Sequence, residues 1–141
     1  MATRKLYFEA VRVGEELPAL TKTPVDRVQL ARYAGASGDF NPMHHDEVAA
    51  KAAGQPSVFG HGMFSMGMLG SALTDYVGVG NVLRYQVRFA RQTWPDEVLS
   101  TKVVVTGKRE SDGKRLVDLA VTLSNADGED KVVGEATAAL P

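Results

Sequence analysis

The stretch that decides the fold is AAGQPSVFGHGMFSMGMLGSALT, residues 52–74, which contains no Asp, Glu, Lys or Arg. Charged residues are frequent on both sides of it, so we expect this stretch to be buried. Leu69, Leu73 and Tyr76 recur at helical spacing, and several methionines make the preceding turns apolar on nearly every side. We therefore predict a long interior helix. Proline, glycine, serine and histidine interrupt the apolar run, which argues against a membrane span.

After Gly80 the pattern changes from helical to alternating. Apolar and polar side chains alternate over residues 83–89, which predicts a half-buried strand whose inner face comprises Leu83, Tyr85, Val87 and Phe89. Three more strand-like runs follow at residues 98–106, 115–124 and 132–139. The turn sequences ESDG (110–113) and NADG (125–128) separate them, so consecutive antiparallel hairpins are expected.

The first third of the chain predicts smaller elements. Residues 17–25 can form a further strand, and Asp26 with Gln29 is typical of a capping box that opens a helix. Asp46 is placed to cap a second short helix that stops before Gly54. Together these elements predict one α+β domain over residues 1–141, with an antiparallel sheet curled around one long helix. Such a sheet leaves part of the helix uncovered, so we expect an oligomer.

Composition excludes several classes of protein. The 141 residues carry 16 Lys+Arg against 17 Asp+Glu, so the net charge of −1 predicts no nucleic-acid partner. The chain has no Cys, which rules out disulfides, Cys-ligated metals and thiol catalysis. Arg4 and Lys5 are followed by no apolar segment of the signal-peptide kind, so we expect a cytoplasmic protein that is not a membrane protein.

The polar residues with most chemical content lie in SGDFNPMHHD, residues 37–46. Pro42 fixes its own φ and pushes the preceding residue toward extended geometry, so Asp39 and His44 are presented by a turn and not by successive turns of one helix. A carboxylate and an imidazole presented in this way can converge on a water molecule and do acid–base chemistry. The simpler alternative is that Asp39 caps a turn while His44 bonds to a backbone carbonyl.

The start of the long helix, FGHG at residues 59–62, offers free backbone N–H groups and the positive end of the helix dipole. A site for developing negative charge is therefore expected there. His61 itself is more simply explained as a structural residue. Glycines Gly67 and Gly70 lower helix propensity, which predicts that another backbone or a ligand approaches the helix closely.

Other chemistries find little support. Asp39, His44, His45 and Asp46 are close in sequence, but adjacent histidines of an extended chain point apart and further metal ligands would have to come from elsewhere, so we predict no metal. The chain also lacks the GxSxG elbow of serine hydrolases, a Walker loop and a GxGxxG motif. Nucleotide-dependent chemistry is not expected.

The segments YAGASGDFNPMH (33–44) and FGHGM (59–63) resemble the hydratase motif of the MaoC-like dehydratases, the (R)-specific enoyl-thioester hydratases. Residues 13–18 and Val87-Arg88-Phe89 also resemble landmarks of that family, so the likeness spans most of the chain. It extends to the catalytic subunits of actinobacterial (3R)-hydroxyacyl-carrier-protein dehydratases.

This resemblance implies a hot-dog fold, a long central helix wrapped by a curved antiparallel sheet. The catalytic pair of the family corresponds to Asp39 and His44, and the motif asparagine that organises the turn corresponds to Asn41. The backbone N–H that receives the thioester carbonyl corresponds to Gly62. Some relatives carry a helix serine near the site where this chain has Gly67. Residues expected to line the substrate site are therefore Ser65, His61 and Gly67.

The reaction implied by the resemblance is the interconversion of trans-2-enoyl and (3R)-hydroxyacyl thioesters without a cofactor. The implied partners are an acyl-CoA or acyl-carrier-protein thioester and a second hot-dog protein in a homodimer or heterodimer. An acidic carrier could meet Arg84, Arg88 and Arg91, although alternating arginines are usually a solvated face. Two alternatives remain, a hot-dog thioesterase and a non-catalytic subunit that binds acyl thioesters.

Overall fold

The computed structural model describes residues 5–141, so Arg4 of the N-terminal segment lies outside the described residues. Three helices precede four strands. The helices are α1 (Arg27–Ser37), α2 (Glu47–Ala52) and α3 (Gly62–Val77), with a 3₁₀ turn at Pro42–His44. The strands are β1 (Val82–Phe89), β2 (Leu99–Ser111), β3 (Lys114–Asn125) and β4 (Asp130–Ala139).

The four strands form one antiparallel sheet in the order β1-β4-β3-β2. The turn between β2 and β3 places Asp112 and Gly113 at φ +50° and +72°, as a tight hairpin turn requires. Each of the three strand pairings contains a register shift, and such irregularities increase the local twist of a sheet. Gly134 lets β1 and β4 approach, because a Cβ there would collide with the backbone of Gln86 and Val87. The register shifts therefore favour a twisted sheet.

Helix α3 lies on the sheet and contacts β1, β3 and β4. Its side chains share one hydrophobic core with alternate positions of the strands. The buried residues of α3 are Ser65, Leu69, Ala72, Leu73, Tyr76 and Val77. The prediction of an interior helix holds for this stripe only, because Met63 is 57% exposed within a single chain. The sheet covers one side of the helix and leaves the other accessible.

The expected close approaches to α3 are also corrected. At Gly70 the neighbour is the ring of Tyr85, which a Cβ would meet at 3.1 Å, and it is neither a backbone nor a ligand. At Gly67 no neighbouring group of residues 5–141 lies within 4 Å of the place that a Cβ would occupy, so the single chain gives no reason for that glycine.

Two strand predictions need correction. On β1, Tyr85 and Val87 are half-buried as expected, but Leu83 and Phe89 are both 49% exposed. The strand lies at the edge of the sheet, and a register shift near Leu83 disturbs the alternation. Residues 17–25 form no regular strand; Thr21, and Glu16 just before the segment, each make an isolated bridge to β2. Prolines within that segment remove ladder donors and explain the irregular pairing.

The local signals of the first helices are confirmed. Asp26 caps α1 in a reciprocal capping box with Gln29, and the Asp46 carboxylate accepts two backbone N–H groups at the start of α2. Both short helices contact the 3₁₀ turn at Pro42–His44, which lies between them in the chain. Within residues 5–141, no helix combines the length and the apolarity that crossing a bilayer would take.

Candidate active site

The turn between α1 and α2 is built by its own side chains. Asp39 Oδ1 accepts the Asn41 N–H at 3.2 Å, and Asn41 Oδ1 accepts the Met43 N–H at 3.1 Å. Pro42 occupies the first position of the 3₁₀ turn, where its missing N–H has no consequence. The Asn41 side chain therefore bonds within the turn, and the turn presents Asp39 and His44 from its two ends.

His44 is held in one orientation. Its ring is buried, and Nδ1 lies 2.7 Å from the Phe59 carbonyl oxygen. A carbonyl oxygen only accepts hydrogen bonds, so Nδ1 carries the proton in the neutral ring and Nε2 carries the lone pair. Nε2 lies 4.0 Å from Asp39 Oδ2, and the Asp39 side chain is 52% exposed. The imidazole thus aims Nε2 at a carboxylate that solvent can reach.

The gap between Asp39 Oδ2 and His44 Nε2 is suited to a small ligand that bonds to both atoms. At 4.0 Å the two atoms are too far apart for a direct hydrogen bond, yet both can bond to one water molecule. The alternative of purely structural roles holds in part, because His44 does bond to a backbone carbonyl. That bond uses Nδ1 alone and leaves Nε2 free to do chemistry.

His61 joins this turn to the start of α3. Its Nε2 lies 3.1 Å from the Asp39 carbonyl oxygen, and its ring stacks on His44 at 3.8 Å between centroids. The ring is buried, and Nδ1 has no hydrogen-bond partner among the described residues. Burial lowers the pKa of His61, so the ring stays neutral. The structural role expected of His61 is therefore to fix Asp39 and His44 relative to the helix.

At the start of α3, the backbone N–H of Gly62 is available to a ligand. As the first residue of the helix, Gly62 has an N–H without an intrahelical partner. The Phe89 ring packs over its Cα, and a Cβ at Gly62 would lie 3.0 Å from two ring carbons. The preceding turn is anchored by the Gly60 N–H, which donates to the Thr93 carbonyl at 2.8 Å. Gly62 therefore combines an available donor with a position where any Cβ would press on the Phe89 ring.

A cavity of about 280 Å³ opens beside the start of α3. Among the residues expected to line the substrate site, Ser65 lines this cavity, whereas the buried His61 and the exposed Gly67 do not. Sequence reasoning missed Thr93 and Lys131, which also line the cavity. No local pattern marks Thr93. Lys131 could have been noticed as a charge beside a predicted buried strand. The cavity is lined by Phe59, Gly60, Gly62, Ser65, Phe89, Ala90, Arg91, Gln92, Thr93, Lys131 and Val132.

Lys131 is a fully buried ammonium at this cavity. Its three donors are all used, by the Gln92 carbonyl at 2.9 Å, Glu97 Oε1 at 2.9 Å and Glu129 Oε1 at 2.5 Å. Burial acts to raise the pKa of Glu97, but hydrogen bonds donated by Lys131, the Trp94 N–H and Asn125 outweigh it and lower that pKa. This cluster fixes the loop after β1, which carries Thr93.

Three groups near the turn have a donor set that can hold a metal ion. Single donor atoms of Asp39, His44 and His61 all lie within 4.8 Å of one another. The sequence around Asp39 and His44 offers no third metal ligand on their side of the turn, and folding brings His61 into that position. The prediction that no metal takes part remains a prediction, to be tested by metal removal.

Residues 9–126 match the family model described as MaoC like domain. The chain belongs to the MaoC-like domain family. This MaoC-like domain is 29% identical over 137 residues to an (R)-specific enoyl-CoA hydratase of Rhodospirillum rubrum, with 96% of this chain and 92% of the relative covered. It is 38% identical over 88 residues to 3-hydroxyacyl-thioester dehydratase X of Mycobacterium tuberculosis, with 55% of this chain and 31% of the relative covered.

A solved structure agrees with these sequence relatives. The (R)-hydratase from A. caviae involved in PHA biosynthesis superposes on the MaoC-like domain with a TM-score of 0.83 and 27% identity, over 94% of this chain and 99% of that one. This likeness confirms the hot-dog arrangement of helix and sheet. The chain spans a third or less of the length of the first curated relatives that it matches.

Proposed function

We propose that this protein is an (R)-specific hydratase/dehydratase that interconverts trans-2-enoyl and (3R)-hydroxyacyl thioesters. The observation that carries the proposal is the Asp39–His44 pair, with His44 Nε2 4.0 Å from Asp39 Oδ2 and Nδ1 held by Phe59. The names of the relatives supply the substrate class and the stereochemistry. Since their activities belong to those proteins, the reaction of this chain is open to the tests below.

In the proposed reaction, one water molecule lies between Asp39 Oδ2 and His44 Nε2. As its oxygen forms a bond to C3, one of the two groups takes a water proton, and a proton is delivered to C2 on the same face. The C2=C3 π bond is lost, one O–H bond of water breaks, and new C3–O and C2–H bonds form. The dehydratase direction is the reverse. We leave open which of the two groups serves as the base.

Negative charge that develops on the thioester oxygen needs a donor beside the acid–base pair. We assign this role to the Gly62 N–H, supported by the positive end of the α3 dipole. His61 bonds to the Asp39 carbonyl and directly precedes Gly62. This contact holds the acid–base pair in a fixed position relative to the Gly62 N–H. The mechanism draws on no cofactor.

The partners proposed for the site are an acyl-CoA or acyl-carrier-protein thioester and a second hot-dog protein. Strand β1 is an edge strand that exposes Leu83 and Phe89, and the Phe89 ring packs on Gly62, the residue before the exposed Met63. A second copy or a related subunit would cover this apolar surface. We expect sedimentation equilibrium at micromolar concentration to show a dimer, and a stable active monomer would contradict this part of the proposal.

The proposal is tested by hydration of short trans-2-enoyl-CoA thioesters, with the hydroxyacyl product separated on a chiral phase. Asp39→Asn and His44→Ala should each lower turnover by about 10²–10⁴-fold, because each removes an acid–base group. The double variant should be little worse than either single one, since the groups act as a unit. Near-normal turnover in either single variant would reject the assignment.

A matched control is His45→Ala. His45 is adjacent to His44 but exposed, and its Nε2 bonds to the Phe40 carbonyl. This variant should retain turnover. Release of free thiol from the thioester would instead identify a thioesterase, and activity that appears only with a second subunit would identify a binding subunit. Turnover should survive exhaustive treatment with EDTA, whereas loss that Zn²⁺ restores would assign the three-donor cluster to a metal.

A further inference from the structure

Two buried hydroxyl groups face the cavity beside Gly62. Ser65 on α3 and Thr93 on the loop after β1 are each 3% exposed, and their oxygens lie 3.1 Å apart. Both residues line the cavity. They come from segments 28 positions apart in the chain, so the pair exists only in the folded structure.

One of the two hydroxyl protons of this pair has no hydrogen-bond acceptor among the described residues. Each carries one O–H donor, and the hydrogen bond between them uses one of the two protons. Within residues 5–141 neither hydroxyl has another hydrogen bond, so the second proton has no acceptor in the chain. A buried donor without an acceptor is costly, and the space next to this one is the cavity. An oxygen of a bound molecule would satisfy it.

Helix geometry places this donor close to the Gly62 N–H. Ser65 follows Gly62 by three residues, which is about 4.5 Å along the axis and on the same face. Side chains of a helix lean toward its N-terminus, so the Ser65 hydroxyl lies nearer to Gly62 than its Cα does. Because each hydrogen bond spans about 2.9 Å, one oxygen between the two donors can accept from both.

We propose that the Ser65–Thr93 pair supplies a second hydrogen-bond donor to the thioester carbonyl oxygen, beside the Gly62 N–H. Thr93 donates to Ser65, and the Ser65 hydroxyl donates into the cavity. Thr93 is a positioning residue in this arrangement, held by the bond from the Gly60 N–H to its carbonyl and by the adjacent Lys131 to Gln92 bond. Ser65 touches the substrate. This inference rests on the proposed function.

A donor at this oxygen acts mainly in the transition state. The carbonyl oxygen gains negative charge as water adds to C3, so its hydrogen bonds strengthen during the reaction. Removing such a donor lowers kcat with little change in KM, whereas removing a contact to an uncharged part of the substrate raises KM. The division of the effect between the two constants therefore separates a catalytic role from simple binding.

The test compares the wild-type enzyme with Ser65→Ala, Thr93→Val and Thr93→Ser on one short enoyl-CoA substrate. Ser65→Ala should lower kcat by about 10²-fold with KM changed less than about threefold, as for loss of one oxyanion donor. Thr93→Val keeps the shape and removes the hydroxyl, so a smaller loss of about tenfold is expected. Thr93→Ser keeps the hydroxyl and should retain most of the activity. Melting temperatures identify any variant that fails to fold.

Three outcomes overturn the inference. If folded Ser65→Ala turns over as fast as wild type, the pair is structural. If its loss is confined to KM, the hydroxyl contacts an uncharged part of the substrate. If Thr93→Ser loses as much as Thr93→Val, the Thr93 methyl group and not its hydroxyl matters. Failure of the proposed function is seen separately, as wild-type protein that does not hydrate the substrate at all.

Discussion

Two replacements of Gly62, by proline and by alanine, distinguish the effect of losing the backbone N–H from the effect of adding a Cβ. Both replacements add a Cβ that would lie 3.0 Å from the Phe89 ring, well inside the 3.5–4.0 Å optimum for carbon atoms. The ring must therefore move by about half an ångström in either variant. Phe89 is 49% exposed and can move toward solvent, so we expect a stability loss of about 1 kcal/mol, at the low end for overpacking.

Proline alone also deletes the N–H. The first position of a helix tolerates proline, and His61 already has the extended conformation, φ −60° and ψ 135°, that a residue before proline needs. The ratio of turnover between Gly62→Ala and Gly62→Pro thus reports replacement of the N–H by the proline ring, with the effect of the added Cβ removed. We expect proline to be slower by about 10²–10³-fold, equivalent to about 2.7–4 kcal/mol for one oxyanion donor.

The assay is steady-state hydration of a short enoyl-CoA, with circular dichroism and thermal unfolding to verify that both variants fold. Combining Gly62→Ala with Phe89→Leu should restore melting temperature, because the smaller side chain relieves the collision. If a folded Gly62→Pro protein matches Gly62→Ala in turnover, another group polarises the carbonyl, and the role assigned to the start of α3 is wrong.

Three further predictions concern stability. Lys131→Met should cost about 2–3 kcal/mol in urea unfolding, less than for a fully buried pair because Glu97 remains 19% exposed; a change below about 1 kcal/mol would contradict it. Because the pKa of His61 is lowered in the folded protein, the unfolded chain takes up a proton first as the pH falls below about 6.5, and the free energy of unfolding declines there. In His61→Gln the melting temperature should depend less on pH between pH 7 and 5. Hydrogen bonds from Arg27 and then Lys51 lower the pKa of Glu47 to about 2. Glu47 therefore stabilises the folded protein above pH 4.5, and this stabilisation is lost as the pH falls toward 2. Glu47→Gln should make the loss of stability in acid less steep, and an unchanged slope would argue against the shift.

Much of the candidate site could be anticipated because its parts are local. Asp39, Asn41 and His44 lie within six residues of one another, and their turn is built by hydrogen bonds between residues two positions apart. The glycine-rich start of α3 is likewise readable from the chain, since the donor at Gly62 follows from where the helix begins. Asp39 and His44 could be paired without knowledge of the fold because the proline turn joins them directly.

The sequence by itself determined the elements whose signals act over a few residues. The capping box of Asp26, the cap at Asp46 and the Asp112-Gly113 turn are each decided by contacts within about four positions, so they appear where predicted. The charge-free stretch likewise predicted the core helix, because exclusion of charge reflects burial wherever the partners come from.

Only the tertiary structure decided contacts between distant segments. His61 at the start of α3 reaches the turn after α1 at Asp39 across 22 residues, and Ser65 meets Thr93 of the loop after β1 across 28. The exposure of Leu83 and Phe89 depends on β1 being an edge strand, which follows from the order β1-β4-β3-β2. Alternation within a strand specifies two faces, but what covers each face depends on strand order and on packing with distant segments.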